Sequence, residues 1–464
     1  MSDTSDTERV GPIPMSGGRQ SPGLASRVDY LATLDRIPEA LHAAIRGNAA
    51  QLCAWRELFG FEELLEATPE FLRKHPYLVL DTRHFEASFR QQLAATIDEL
   101  HTAVDGVLVQ GDNLPALHEL APRFAGSVRC CYIDPPYNTG STAWTYQDRF
   151  DRDAWAAMMR QRLEAARAWL AEDGAIFVSI DDREQASLRL LMDEVFGPEN
   201  FLATIVWEKV HTRKNSAKHF SVSHEYIIAF ARTKDRWRRQ LLPRDGTAAY
   251  ANPDSDPRGP WKPDPVYANK PYAARYQIVK PNGVKLAPPP GRYWRLSEES
   301  FLAKAAADAV IWGDSEAYPM IKRYLADVQD GLVPVTLFTR AFAGDNALAN
   351  AELRAMFGAG RPATYPKPTR LIERLLQISS EPEGRPVVLD FFAGTGATAQ
   401  AVLNRNRADN GRRRYVLMEQ SDVFDLVLVP RVMKSIYATQ WRDSRPLSRD
   451  GVSQLVEVVR LVTD

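Results

Sequence analysis

Cysteine is scarce: Cys53, Cys130 and Cys131 are the three in 464 residues, which excludes a disulfide framework, and their spacing offers no zinc-binding set. Net charge is nearly absent too. The 58 basic residues are matched by 59 acidic ones, a formal balance of -1, so any contact with a polyanion must rest on local basic clusters. Long hydrophobic runs are missing: no apolar stretch reaches the ~20 residues of a membrane-spanning helix, and the amino terminus lacks a basic-then-apolar export pattern. A cytoplasmic chain is expected. With 45% hydrophobic and 25% charged residues, the remaining composition is that of a globular chain long enough for two or three domains.

The most informative stretch is 130–140. Cys130, Cys131, Tyr132 and Ile133 lead into Asp134-Pro135-Pro136-Tyr137-Asn138-Thr139-Gly140. Two prolines continue neither a ladder nor a helix, so a buried strand stops here and presents a carboxylate and a ring at its carboxyl end. In open α/β sheets ligands bind at that end. The chemistry that needs this arrangement is attack by an exocyclic amino group on an electrophile. The lone pair of such a nitrogen is delocalised into its ring until acceptors bind its hydrogens. Asp134 and the Pro135 carbonyl are candidate acceptors, and Tyr137 can stack on the base. The plainer reading is a strand that ends in a proline-rich turn with a surface acid.

A second pattern lies far downstream. Val387, Val388, Leu389 and Asp390 form an apolar strand running into Phe391-Phe392-Ala393-Gly394-Thr395-Gly396, and a helix with Ala401, Val402 and Leu403 follows. Strand, glycine loop and helix in succession suit a nucleoside cofactor, with Gly394 and Gly396 letting the backbone approach it. The Phe-x-Gly-x-Gly pattern is shorter than a dinucleotide motif and suggests a cofactor without a pyrophosphate. A strand over 415–419 then ends at Glu419, suited to a ribose hydroxyl pair. An ordinary tight turn between strand and helix is the alternative.

The rest of the chain is organised around these two patterns. Residues 1–26 lack periodicity and read as a disordered tail. Leu31, Leu34, Ile37, Leu41 and Ile45 predict a small helical region within 27–100, for docking or for plain scaffolding, which closes with an amphipathic helix carrying Phe85, Phe89, Leu93 and Ile97. A strand over 107–110 ends in Gly111-Asp112-Asn113. A helix bearing Trp155, Met159, Leu163, Ala166 and Leu170 closes at Glu172-Asp173-Gly174, before a doubly buried strand over 175–180. Asp181 and Asp182 then either cap the next helix or shape the site. Strands over 204–207 and 226–230 enclose a loop with His211, Arg213, Lys214, Lys218 and His219, which either closes over phosphates or is simply solvated. Near Arg232 the character changes: eleven of the 31 prolines fall between Pro243 and Pro290, so 232–362 reads as an irregular insert, either a recognition domain or a linker. Tyr365-Pro366-Lys367-Pro368-Thr369 opens a helix with Leu371, Ile372, Leu375 and Leu376, Thr369 being the candidate cap. Residues 443–464 read as a tail without an assigned role.

These motifs, in this order, resemble the beta class of amino DNA methyltransferases, and most closely the modification (Mod) subunit of type III restriction-modification systems. The similarity runs from His75-Pro76-Tyr77 to Gln440-Trp441. It implies a doubly wound, Rossmann-like α/β fold with a catalytic half (101–231), an inserted target-recognition domain (232–362) and a cofactor half (363–442). It implies methyl transfer from S-adenosylmethionine (SAM) to the amino group of an adenine flipped out of double-stranded DNA, with no covalent enzyme intermediate and no metal. On the family's motifs Asp134, Pro135, Pro136 and Tyr137 are catalytic. Asp112 contacts the adenine of SAM, Lys367, Pro368 and Thr369 flank its methionine moiety, and Asp390, Phe392, Gly394, Gly396 and Glu419 complete the cofactor site. Tyr226, in His224-Glu225-Tyr226, packs against the extruded base, with Asn138, Arg213 and Lys214 as further target contacts. The implied partners are a second copy of the chain and a helicase-nuclease (Res) subunit. Three alternatives stay open: methylation of cytosine's amino group, whose motif usually begins with Ser; an enzyme acting on RNA or on a glutamine amide, the latter usually with Asn at this place; and a non-catalytic DNA-binding subunit. The Pro-Cys nucleophile of enzymes that methylate a cytosine ring carbon is missing.

Overall fold

Short apolar runs bounded by Gly, Pro and acids assemble into one sheet in the computed structural model, which describes residues 26–61, 66–97, 99–139, 150–243, 249–328, 331–359 and 364–461. In chain order its strands are β1 (Ser26–Thr33), β2 (Val79–Asp81), β3 (Gly106–Gln110), β4 (Val128–Ile133), β5 (Leu170–Ile180), β6 (Phe201–Glu208), β7 (His224–Ala231), β8 (Leu337–Phe338), β9 (Val387–Asp390), β10 (Arg414–Glu419) and β11 (Leu455–Leu461). In space they lie in the order β8-β6-β7-β5-β4-β9-β10-β3-β11-β1-β2. This is the expected doubly wound α/β sheet, and its core strands are buried.

Strand direction decides where the site forms. β4, β9, β10 and β3 are consecutive and parallel, so all four carboxyl ends share one edge. Asp134 follows β4, Asp390 ends β9, Glu419 ends β10 and Asp112 lies just beyond β3. Four acids that are remote in the chain therefore meet. β7 runs antiparallel to β5 and β6, so its first residues, Glu225 among them, lie at that same edge. The helix Thr369–Ser379 packs on β4, on β5 and on the helix Ala397–Asp409, burying Leu371, Ile372, Leu375 and Leu376 at helical spacing.

The two ends of this unit differ from the sequence reading. Tyr30 to Thr33, expected to be helical, belong to β1, which pairs antiparallel with β11. β11 in turn lies parallel to β3, so the supposed tail over 443–464 supplies a strand inside the sheet. Local spacing misled here because Leu31 is buried by pairing with a strand from the opposite end of the chain, while Leu34 sits in a single 3-10 turn that precedes Pro38. The region 27–100 is accordingly mixed, with β1 and β2 alongside the helices Ala49–Phe59, Pro69–Lys74 and Ala87–Ala95. The expected 1–26 tail lies, apart from Ser26, outside the described residues.

Glu172, Asp173 and Gly174 do not close a helix. The helix Arg152–Trp169 stops earlier and these residues belong to β5. The pairing of β4 with β5 shifts register between Val128 and Cys130, and a Cβ on Gly174 would come within 2.4 Å of the Val128 carbonyl oxygen. Glycine is what admits this irregularity in the strand.

Leu241–Pro334 forms a second compact unit, narrower than the 232–362 insert expected from the sequence. Residues 335–359 go with the first unit, because β8 extends its sheet in parallel with β6. The second unit has its own core of Val266, Ile278, Trp294, Phe301, Val310 and Ile321. Its three-stranded sheet joins Val310–Ile311, Met320–Tyr324 and Trp261–Pro265. The buried ammonium of Lys322 is compensated by Asp254 at 2.6 Å and Asp256 at 3.0 Å.

Candidate active site

The turn after β4 is fixed from several sides. Trp155 donates its indole N–H to the Pro136 carbonyl at 2.8 Å, and the Asn138 amide donates to Glu184 while accepting the Phe150 backbone N–H. Asn138 sits in the left-handed region, at φ 57, where Asn is among the better tolerated residues. Asp134 Oδ1 accepts the Tyr137 hydroxyl at 2.6 Å and the Lys367 ammonium at 2.7 Å. Lys367 also donates to the Tyr137 oxygen at 2.8 Å and pairs with Glu225 Oε2 at 3.2 Å, while Lys209 holds Glu225 Oε1 at 3.0 Å. Burial pushes the Glu225 carboxyl up, but Lys367 and Lys209 outweigh it and the net shift is downward. Burial, with Asp134 and Glu225 adding, pushes the Tyr137 phenol well above its ordinary range, so it stays a donor.

One cavity of about 310 Å³ joins this corner to the glycine loop; Asp112, Asp134, Lys367, Phe392, Gly394 and Glu419 are among its walls. That volume is at the lower end of small-molecule sites. Gly394 has φ 49, and a Cβ built there meets no heavy atom within 4 Å, so the loop leaves open space where any other residue would project. Glu419 is oriented by the Gly394 backbone N–H at 2.9 Å and by the amide and hydroxyl of Ser421. Arg431, fully buried, reaches Thr395 Oγ1 at 2.9 Å and Gln400 Oε1 at 2.8 Å, bracing the loop from behind.

Asp390 is a titratable group under tension. Burial pushes its carboxyl up to about 7, with Asp134 and Glu419 adding, against bonds from Thr398 and the Phe392 amide that favour ionisation. The folded value lies above that of the unfolded chain, so this group's stability contribution is complete below about pH 4 and is lost as pH rises through 7. Asp390→Asn keeps an acceptor for the Phe392 amide and cannot ionise. The variant is expected to gain stability relative to wild type between pH 5 and pH 8, by on the order of a few kcal/mol, in urea unfolding of the ligand-free protein. An equal difference at both pH values would refute the assignment.

Not every residue expected at the site lines the cavity. Pro136 and Asp390 do; Pro135 and Tyr137 are not in its wall, although the Tyr137 hydroxyl reaches Asp134, which is. Lys367, expected to flank a cofactor, spends its ammonium on Asp134, Tyr137 and Glu225 as well. Asp112 is paired with Arg162 and accepts the Leu114 amide, so it also caps a helix. Thr369 is not the cap of its helix: Pro368 holds that place and the Thr369 hydroxyl is bound to Glu352 at 2.7 Å. Gly396 begins the helix Ala397–Asp409 in the left-handed conformation. Along β7 side chains alternate, so Glu225, which meets Lys367 and the Tyr137 hydroxyl, and Tyr226 project to opposite faces, and the Tyr226 hydroxyl donates to Asp182 at 2.8 Å. Asp181 accepts the Arg183 amide and does not cap the following helix. Arg213 and Lys214 are exposed on the loop between β6 and β7. Glu225, Arg162 and Arg431 are the residues that sequence reasoning missed; a lone acid inside an apolar strand was the available signal for Glu225.

A family profile described as DNA methylase matches residues 128–424, which is more than half of the chain and takes in both motifs. The Mod subunit of the type III restriction-modification enzyme StyLTI from Salmonella typhimurium is 33% identical over 346 residues, covering 67% of this chain and 52% of that protein. The Mod subunit of EcoP15I from Escherichia coli is 27% identical over 383 residues, covering 68% and 58%. This chain therefore spans little more than half the length of the curated relatives it matches. Among solved structures, PvuII DNA methyltransferase, described as cytosine-N4-specific, aligns over 71% of this chain and 86% of its own at 14% identity, with a TM-score of 0.37, too low to carry an argument. On the profile match across both motifs and the sheet edge that unites them, the chain belongs to the DNA methylase family.

Proposed function

We propose that the chain transfers a methyl group from SAM to the exocyclic amino group of adenine in double-stranded DNA. It acts in the cytoplasm as the modification component of a type III-like restriction-modification system. The observation that carries this reading is the single cavity whose wall holds both Asp134 and Gly394. The cofactor fits the residues present: the open space at Gly394 admits a ligand against the backbone, and Glu419, fixed by the Gly394 amide and in the same cavity wall, offers an acid suited to a ribose hydroxyl pair. When bound, SAM supplies the electrophilic methyl group. The protein's part is to bind the target amine through Asp134 and the Pro135 carbonyl, drawing its lone pair out of the ring, and to hold the base against Tyr137. Asp at position 134, rather than Ser, favours adenine over cytosine.

The compact unit Leu241–Pro334 is the proposed target-recognition part. A second copy and a Res subunit are the proposed partners, a reading supported by matched relatives that are named as subunits of type III restriction-modification enzymes. The loop over 209–223 is proposed to meet DNA phosphates, since Arg213, Lys214 and Lys218 are exposed there. Replacing Arg213 and Lys214 together by Ala is expected to weaken DNA binding and to lower the slope of log K against log salt by about 2. Fluorescence anisotropy over ~50–200 mM salt reads both, and an unchanged slope would remove the loop from the interface.

The test of the whole reading is mass spectrometry of nucleosides from methyl-free mixed-sequence DNA incubated with protein and SAM. Methyladenine from the wild type and none from Asp134→Ala establishes it. Methylcytosine would favour the cytosine alternative, and no methylated base despite DNA and SAM binding would favour a non-catalytic subunit.

A further inference from the structure

The charged cluster beside the cavity is larger than amine binding requires. Asp134 alone, with a backbone carbonyl, can accept the hydrogens of an amino group. Yet its Oδ1 already carries two donors, the Tyr137 hydroxyl and the Lys367 ammonium. A carboxylate engaged by an ammonium is a weaker acceptor, and a nitrogen that accepts a methyl group is cationic until it sheds a proton to Asp134 or beyond. An ammonium fixed on Asp134 opposes that charge at the moment it develops.

Glu225 is placed to relieve this. Its Oε2 lies 3.2 Å from Lys367 Nζ, and its other oxygen is held by Lys209 at 3.0 Å. Glu225 is itself buried, so its position is fixed by its neighbours. Asp134, Glu225, Lys209 and Lys367 form a set of two carboxylates and two ammoniums. Lys367 can therefore shift its weight between the two acids without changing the balance of the set. Tyr137, whose hydroxyl lies within 2.6 Å of Asp134 and 3.2 Å of Glu225, has an acceptor on either side of such a shift.

We propose that Glu225 is a positioning residue that takes over the Lys367 ammonium from Asp134 while the target amino group is bound. This rests on the methyltransferase reading above. A purely structural role is the rival: through Lys209 the same acid anchors the base of the 209–223 loop, and that role would govern affinity for DNA rather than turnover.

The experiment is steady-state kinetics at saturating SAM and DNA on wild type, Glu225→Gln, Lys367→Met and the double variant, with SAM titration confirming that each is folded. Glu225→Gln is expected to lower kcat roughly 10- to 100-fold, the range for a lost bond to a charged group, with KM for DNA held within about threefold. The double variant is expected to turn over faster than Glu225→Gln, because it removes the ammonium left uncompensated on Asp134. Glu225→Asp, which keeps the charge one methylene further back, falls between wild type and Glu225→Gln, and it carries the test should Glu225→Gln not fold. An unchanged kcat, a change in KM for DNA alone, or multiplied losses in the double variant would overturn the hand-over. Wild-type protein that methylates no DNA overturns the enzyme reading and the hand-over together; an active wild type matched by Glu225→Gln overturns the hand-over alone.

Discussion

Asp134→Ala is expected to lower kcat for methyl transfer by at least about 10³-fold while leaving the fold in place. Asp134 is the acceptor at the carboxyl end of β4: it lines the cavity and holds the Tyr137 hydroxyl at 2.6 Å. The fold tolerates its loss for an identifiable reason. Lys367 would otherwise be a buried cation without a counterion, but Glu225 remains within 3.2 Å of its ammonium, and Tyr137 keeps Glu225 as an acceptor. The defect should therefore appear in turnover, with SAM and DNA affinities close to those of wild type. Asp134→Asn separates shape from charge: it retains one acceptor but turns an N–H donor toward the site, and it is expected to fall between Ala and wild type. Nucleoside mass spectrometry under single-turnover conditions reads the rate, and a loss smaller than about tenfold would remove Asp134 from the chemistry.

The parts of the site that were legible in the sequence are those made by one strand and the turn after it. Asp134, Asp390, Glu419 and Asp112 each end or follow an apolar run, and parallel packing then brings them to one edge whatever their order in the chain. What was not legible depends on strands pairing across the chain. β1 and β11 are partners from opposite ends, so neither carries a local signal of the other, and apolar spacing alone suggested a helix for one and a tail for the other. Glu225 is the instructive case. Alternation along β7 already puts Glu225 and Tyr226 on opposite faces, but which face looks into the site is set by the antiparallel run of β7 against β5. The sequence places Lys367 beside the cofactor but not beside Asp134 and Glu225, which come from β4's end and from β7, and only the assembled sheet brings them to its ammonium.

Gly394→Val is expected to lower SAM affinity by at least about 100-fold with a modest loss of stability. Two independent features demand glycine here. The backbone has φ 49, a conformation that costs a β-branched residue roughly 1–3 kcal/mol. A Cβ at this position also meets no protein atom within 4 Å and so projects into the space a ligand would fill. The Gly394 amide, moreover, is the donor that aims Glu419, so a shifted backbone would misplace the proposed ribose acceptor as well. Gly396 supplies the control. Its Cβ would approach Leu428 Cγ at 3.2 Å, so Gly396→Ala presses on protein rather than on the ligand space. It is expected to cost stability first and affinity second. Calorimetric titration with SAM and with S-adenosylhomocysteine, paired with urea unfolding, distinguishes the two: Gly394→Val should lose binding out of proportion to stability, and Gly396→Ala the reverse. SAM affinity of Gly394→Val within about fivefold of wild type would place the cofactor elsewhere than against this loop.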